Sequence, residues 1–483
     1  MKWDIFRKSM IFIIVFELLS FIIYTTQDVA NFSFLLLAAL FAIIAFLNLP
    51  LAILIALAEI FIGGMGYLFY YDLGGAQISI RMAFFIILLA VWIVELAKKR
   101  GITAFLKSKF LIPYTVFFTF LGIGLINAFI RGNGIADIFL DFNAYLFFAY
   151  LFILYDFLKI HDLWKQIWYV GIACFGWLAT KTLIILYFFS HGIETAVWPI
   201  YHWVRNTGIG EITLMTSNIY RVFFQSHIYS LIGLAIFATI LFIYRSKMSR
   251  LDKVLLFRLL VLGTATVLIS LSRSFWAGAL ASLPLIIFFV FYNKIKLTRL
   301  LRRAFIGLMA VAFAFLVLFV VVKFPLPDPG EGSFGSLFRQ RTNISDEAAA
   351  ASRWNLWPEL WKGILKEPVL GQGFGAKITY ITDDPRIREV SPTGEYTTYA
   401  FEWGLLDIWY KIGLLGIAAY LWVLISVSKQ GIKQYLKDKD NVMPLALVSG
   451  LIVLFVANFF TPYLNHPLGI GYLILTTIYL DRK

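Results

Sequence analysis

What most constrains this chain is its succession of apolar runs, each about as long as the core of a bilayer is thick. A spanning helix needs about 20 mainly apolar residues, with a range of roughly 17 to 25. Fourteen such runs fall near residues 10–25, 32–48, 50–70, 82–97, 111–129, 138–158, 167–189, 227–244, 255–271, 274–292, 304–323, 403–427, 442–461 and 466–480. Of the 483 residues, 60% are apolar and only 14% charged, against roughly a quarter charged in a soluble domain. A water-soluble globular fold is excluded, and so are disordered and fibrous chains. The expected fold is an all-α integral membrane protein of about 14 transmembrane helices, since only helices and closed barrels satisfy their backbone groups in lipid.

Two joints between runs are specific. Asn48 and Pro50 separate the second run from the third with almost no loop. Val254 to Tyr292 is too long for one span, because a single helix would measure about 57 Å at 1.5 Å per residue. The turn must fall at SLSRS, residues 270–274.

Lys and Arg number 42 against 28 Asp and Glu, a net charge of +14. In a soluble chain that excess would suggest nucleic acid, whereas between apolar spans it reports topology. An N-terminus in the cytoplasm places 26 Lys and Arg on the inner side, and only Arg81, Arg131, Arg205, Arg221 and Arg273 in the short outer segments. Both termini are then cytoplasmic. The first run lacks a small-residue cleavage site and is expected to be retained. The expected organisation is helices 1 to 11 over residues 1–323, a long external loop with amphipathic helices over 324–402, and helices 12 to 14 over 403–483. A second outer segment covers about 190–226. Cys174 is the single cysteine, so there is no disulfide framework and no cysteine metal site.

Motifs for ATP hydrolysis, dinucleotide binding, zinc proteolysis and serine hydrolysis are absent, and no metal or cofactor is expected. What remains are charges at the outer edge of apolar helices, where they are costly and therefore functional suspects. Arg273, in LSRSFWAG, has a bland reading as an arginine snorkelling to lipid headgroups. Its functional reading is an anion ligand, because a guanidinium matches phosphate with two parallel hydrogen bonds. Arg221, in SNIYRVFFQSH, invites the same argument.

Within the long loop, Ser345 or Asp346 can cap a short helix that ends near Arg353. Pro358 then starts or kinks a second helix, on which Trp354, Trp357, Trp361, Ile364 and Leu365 form one apolar face suited to the membrane interface. GQGFG follows as a Gly-rich turn. Asp407 and Lys411 are four apart and can pair on one helix face. Glu402 has no basic partner in helical register and is either a solvated helix-start carboxylate or a general base. His161, His191, His202, His227 and His466 make no ligand pair.

The order of these features resembles the O-antigen ligase and polymerase family of bacterial surface-polysaccharide synthesis: an outer-edge arginine in LSRS, R-x-x-x-W at Arg353 and Trp357, PVLGQGFG, then GLLG. The motifs cover roughly residues 268–420. The resemblance implies an inverting, metal-independent glycosyl transfer on the outer face of the cytoplasmic membrane, with an undecaprenyl-pyrophosphate-linked glycan as donor and a glycan or lipid-linked acceptor. It also implies that Arg273 and Arg353 bind the donor pyrophosphate, and the two are expected to converge on one outer cavity. Where family ligases carry His-Asn, eleven residues before the Gly that opens GLLG, this chain has Glu402 and Trp403. That departure favours a polymerase-like member, with Glu402 as base, over a ligase acting on lipid A core. A secondary transporter or glycan-lipid flippase is the reading from another class, supported by Glu17, Glu59 and Asp141 inside spans.

Overall fold

The structure is a computed structural model that describes residues 2–26, 29–99, 101–216, 219–246, 248–325 and 348–482. Among the described residues it is mostly helical, with three short antiparallel hairpins. The chain divides into two compact units: Met1–Ala104, Phe152–Leu337 and Tyr435–Val453 form the first, and Phe105–Leu151, Phe338–Gln434 and Leu454–Lys483 the second.

Among the described residues, nine helices are long and apolar enough to cross a membrane. They are Asp4–Thr26, Ala30–Leu47, Ile80–Lys98, Leu111–Ile130, Ile135–Ile160, Trp164–Ser190, Arg273–Tyr292, Leu297–Lys323 and Gly404–Lys437. Leu49–Ile62, His227–Ile243, Met443–Asn458 and Pro467–Asp481 are apolar but shorter. The helix Arg250–Ile269 carries Arg250, Asp252, Lys253 and Arg258 in its first half. A multi-pass membrane protein stands, and the count of fourteen spans is not reached on length and composition.

The first unit is organised around Trp164–Ser190, which packs against the helices Lys2–Thr26, Leu49–Ile62, Arg250–Ile269 and Leu297–Lys323. The near-loopless joint is real: Asn48 leaves helical geometry at φ −147° and its side chain accepts from Leu51 N at 3.2 Å, capping the next helix. That next helix stops at Ile62 instead of running on to residue 70. Gly64 and Gly66, both at positive φ, turn the chain there, and a hairpin of β1 (Tyr70–Asp72) and β2 (Gln77–Ser79) follows.

Arg81 does not sit in solvent as an outer-segment charge. It is 1% exposed. Its Nε and Nη2 grip the Glu59 carboxylate at 2.8 and 3.0 Å, and its Nη1 donates to Gly64 O at 2.7 Å. Glu17 is likewise held by Lys181 at 2.6 Å and by Trp177 Nε1 at 2.6 Å. A lone buried charge would cost several kcal/mol, so these acids persist as members of pairs.

The second unit holds Leu111–Ile130, Ile135–Leu146, Ala348–Lys366, the hairpin of β5 (Ile378–Ile381) and β6 (Glu395–Thr398), the helix Gly404–Lys437 as far as Gln434, and Pro467–Asp481. Ser345 and Asp346, the expected helix caps, lie outside the described residues. From Ala348 to Lys366 there is one helix with Pro358 inside it, where two were expected. Leu356, Leu360 and Ile364 explain why it continues. They lie on both sides of the proline and are 2%, 0% and 1% exposed. Each contributes roughly 1.5–3 kcal/mol on burial, which together exceeds the ~3 kcal/mol cost of an internal proline. Ile364 therefore belongs to the buried stripe, with Ala376, Ile378, Tyr380, Phe401 and Tyr410 around it, and not to the tryptophan face. Trp354, Trp357, Trp361 and Leu365 are exposed on the other side.

Candidate functional site

In the first unit the turn at residues 270–272 separates Arg250–Ile269 from Arg273–Ala281, as the length argument requires. Leu271 takes φ +45°, an uncommon value for a residue with a side chain. Arg273 is half-buried and is the first residue of its helix. A cation at a helix N-terminus adds to the positive end of the macrodipole, which is unfavourable for the helix and favourable for an anion placed against it.

The segment 190–226, expected on the outer side, holds the helix Glu194–Asn206 and a hairpin of β3 (Gly210–Thr216) and β4 (Ile219–Phe224). Arg221 projects from β4. Its Nε donates to Ser270 O at 2.9 Å, its Nη1 lies 3.6 Å from Glu211 Oε2, and its guanidinium stands 4.9 Å from the Phe223 ring. Phe223 packs at 5.6 Å on Phe275. Arg221 and Arg273 are thus associated with one turn, Arg221 by bonding its backbone and Arg273 by opening the helix that leaves it.

In the second unit Arg353 and Glu402 come together. The Arg353 Nε donates to Glu402 Oε2, closing an ion pair between the loop helix and a residue two positions before Gly404–Lys437. The side chains are 37% and 54% exposed. Trp403 fixes the approach: its Nε1 donates to Arg353 O at 2.9 Å, and its ring meets Trp354 at 5.4 Å and Trp357 at 4.8 Å. A pair this exposed is worth roughly 0–1 kcal/mol, so it restrains the two side chains without locking them. Glu402 is therefore not a carboxylate alone at a helix start; its cation arrives from 49 residues upstream.

In the same unit, PVLGQGFG is bound into a break in Gly404–Lys437. Gly413 has φ +73° and ψ 178°, so the helix is interrupted there. In an unbroken helix Leu414 N and Leu415 N would donate to the carbonyls of Tyr410 and Lys411. They donate instead to Pro368 O at 2.9 Å and Val369 O at 3.3 Å, while Tyr410 O and Lys411 O accept from Gln372 N at 2.6 Å and Gly373 N at 3.1 Å. Both of these helical bonds are thus exchanged for bonds to the loop. A Cβ on Gly413 would stand 2.1 Å from Val369 O.

Loop carbonyls are met by Asn127, which donates to Leu370 O at 3.3 Å, and by Asn133, which donates to Phe374 O at 2.8 Å. Arg131 bonds Glu367 at 2.8 Å and Gln372 Oε1 at 3.2 Å. Phe374 is fully buried against Phe142 and Tyr145.

Asp407 and Lys411 do pair, at 2.7 Å. Lys411 also bonds Asp141. Asp141 in turn accepts from Gly375 N at 2.8 Å, and Asp407 from Asn465 Nδ2 at 2.6 Å. Glu17, Glu59 and Asp141, on which a transporter reading rests, each have a basic partner inside their own unit.

Burial, followed by the charges of Asp141 and Asp137, raises the Tyr399 hydroxyl above its ordinary range, so it is a hydrogen-bond donor at neutral pH. His227 bonds Thr182 Oγ1 at 2.8 Å and accepts from Phe224 N at 3.2 Å, and His466 caps the last helix. Both are in structural service. Among the described residues, no cluster of three or more His, Cys, Asp or Glu side chains could hold a metal ion.

Residues 258–421 match the family model described as O-Antigen ligase. The matched stretch contains Arg273, Arg353, Glu402 and Gly413 and excludes Arg221. No curated protein matches the chain.

Proposed function

We propose that this chain, which carries an O-antigen ligase domain over residues 258–421, is a polymerase-like transferase on the outer face of the cytoplasmic membrane, with both termini inside. About fourteen crossings, including the shorter helices, would place the matched motifs on that face. The donor is a glycan on undecaprenyl pyrophosphate, and the acceptor is a sugar hydroxyl of a second lipid-linked glycan. The observation that carries the reading is the family match falling on the stretch that holds Arg273, Arg353 and Glu402.

Arg273 and Arg353, with Arg221 in support, bind the pyrophosphate and stabilise the charge that develops as it leaves. Glu402 takes the proton from the acceptor hydroxyl. The acceptor oxygen bonds to the anomeric carbon as the bond from that carbon to the phosphate oxygen breaks, and the lipid pyrophosphate departs with the electron pair. Attack opposite the leaving group inverts the anomeric centre. Transfer to lipid A core is the second reading within the family, and Glu402-Trp403 in place of His-Asn weighs against it. The pairing of Glu17, Glu59 and Asp141 weighs against a transporter or flippase.

The test is purified protein with lipid-linked glycan. Longer glycans together with free lipid pyrophosphate are expected. Product only when lipid A core is supplied would establish the ligase reading, and no product with either acceptor would overturn glycosyl transfer.

A further inference from the structure

We infer that Glu402 occupies, in the resting protein, the anion site that Arg353 offers to the donor, so that donor binding uncovers the base. The inference rests on the reading of Arg353 as a pyrophosphate ligand and Glu402 as the proton acceptor, and adds that the two roles exclude each other until substrate arrives. Its ground is the direct contact of Arg353 Nε with Glu402 Oε2. The fork of a guanidinium meets one carboxylate or one phosphate on its Nε edge, not both.

Three observations make this an exchange and not a fixed strut. The two side chains are 37% and 54% exposed, so an anion from outside can reach them. The backbone of Arg353 is tied independently, by Trp403 Nε1 to its carbonyl at 2.9 Å, so the guanidinium can change partner without the helix moving. The ring contacts of Trp403 with Trp354 and Trp357 also do not depend on the pair. A pyrophosphate, with more charge and more acceptor oxygens than one carboxylate, wins the competition. Glu402 is then released with both oxygens open to an acceptor hydroxyl. The consequence is an order of events, donor before acceptor activation, built from a single contact.

The experiment titrates a short prenyl pyrophosphate into the full chain in lipid nanodiscs, for the wild type, Glu402→Gln, Arg353→Ala and the double variant. If Glu402 competes for Arg353, Glu402→Gln binds the probe about two- to fivefold tighter than wild type, and that gain disappears in the Arg353→Ala background. If Glu402→Gln binds no tighter while Arg353→Ala binds more weakly, the competition is wrong and the reading of Arg353 as a donor ligand survives. Tightening that persists without Arg353 is a general field effect of the lost charge and also overturns the competition. If Arg353→Ala binds as the wild type does, Arg353 is no donor ligand and the proposal falls with that assignment.

Discussion

Arg353 and Glu402, 49 residues apart in the chain, form an ion pair, bringing a candidate phosphate ligand and a candidate base into contact. If Glu402 is the base, Glu402→Gln keeps the shape and loses the proton acceptor, and the transfer rate should fall by about 10² to 10⁴ with the probe still bound. Glycan chain length followed against time measures it. A wild-type rate would move the role to Glu395 or to a donor phosphate oxygen.

Arg273→Lys and Arg353→Lys should each slow turnover, because lysine keeps the charge and loses the fork, and the alanine variants should be slower still. For Arg353 the melting temperature should barely change, since the pair it breaks is more than a third exposed on both sides. Turnover and thermal melting of the same preparations separate the two effects. Activity equal to wild type in Arg273→Ala would leave that residue as a headgroup anchor.

The buried group of Asp141, Lys411 and Asp407 predicts an asymmetry. Lys411→Met leaves two carboxylates facing each other with no cation and should destabilise by about 3–5 kcal/mol. Asp407→Asn should cost less, because Lys411 keeps its bond to Asp141. Chemical unfolding in detergent ranks them, and an equal or reversed order would mean that Asp141 contributes little.

Gly413→Ala should release the loop. The new Cβ meets Val369 O, and alanine resists φ +73°, an unfavourable backbone state worth about 1–3 kcal/mol. Faster proteolytic cleavage within residues 367–377, compared with the wild type, is the expected readout.

Local features of this fold were legible in the sequence and distant ones were not. Asn48 as a joint, the turn at residues 270–274 and the pairing of Asp407 with Lys411 all follow from helix length or from i, i+4 spacing. Asp141 is 270 residues from Lys411, and no periodicity connects them. Pro358 signals a helix start on local rules, yet buried leucines on both sides carry the helix through it. Arg81 follows the topology count as an outer charge, and only the fold reveals Glu59 beneath it. For the candidate site, residue types and their order could be read, whereas the partner of Glu402 could not, because an ion pair across a loop leaves no mark in sequence.

The exchange of hydrogen bonds at Gly413 bears on how such a loop can diversify. A segment fastened to its neighbour through main-chain groups asks little of its own side chains beyond the small residues that let the backbones meet. Leu370 and Val369, whose side chains are exposed, can vary from one relative to another while the attachment persists. A lineage could thereby change what the loop presents without rebuilding the helices that carry it.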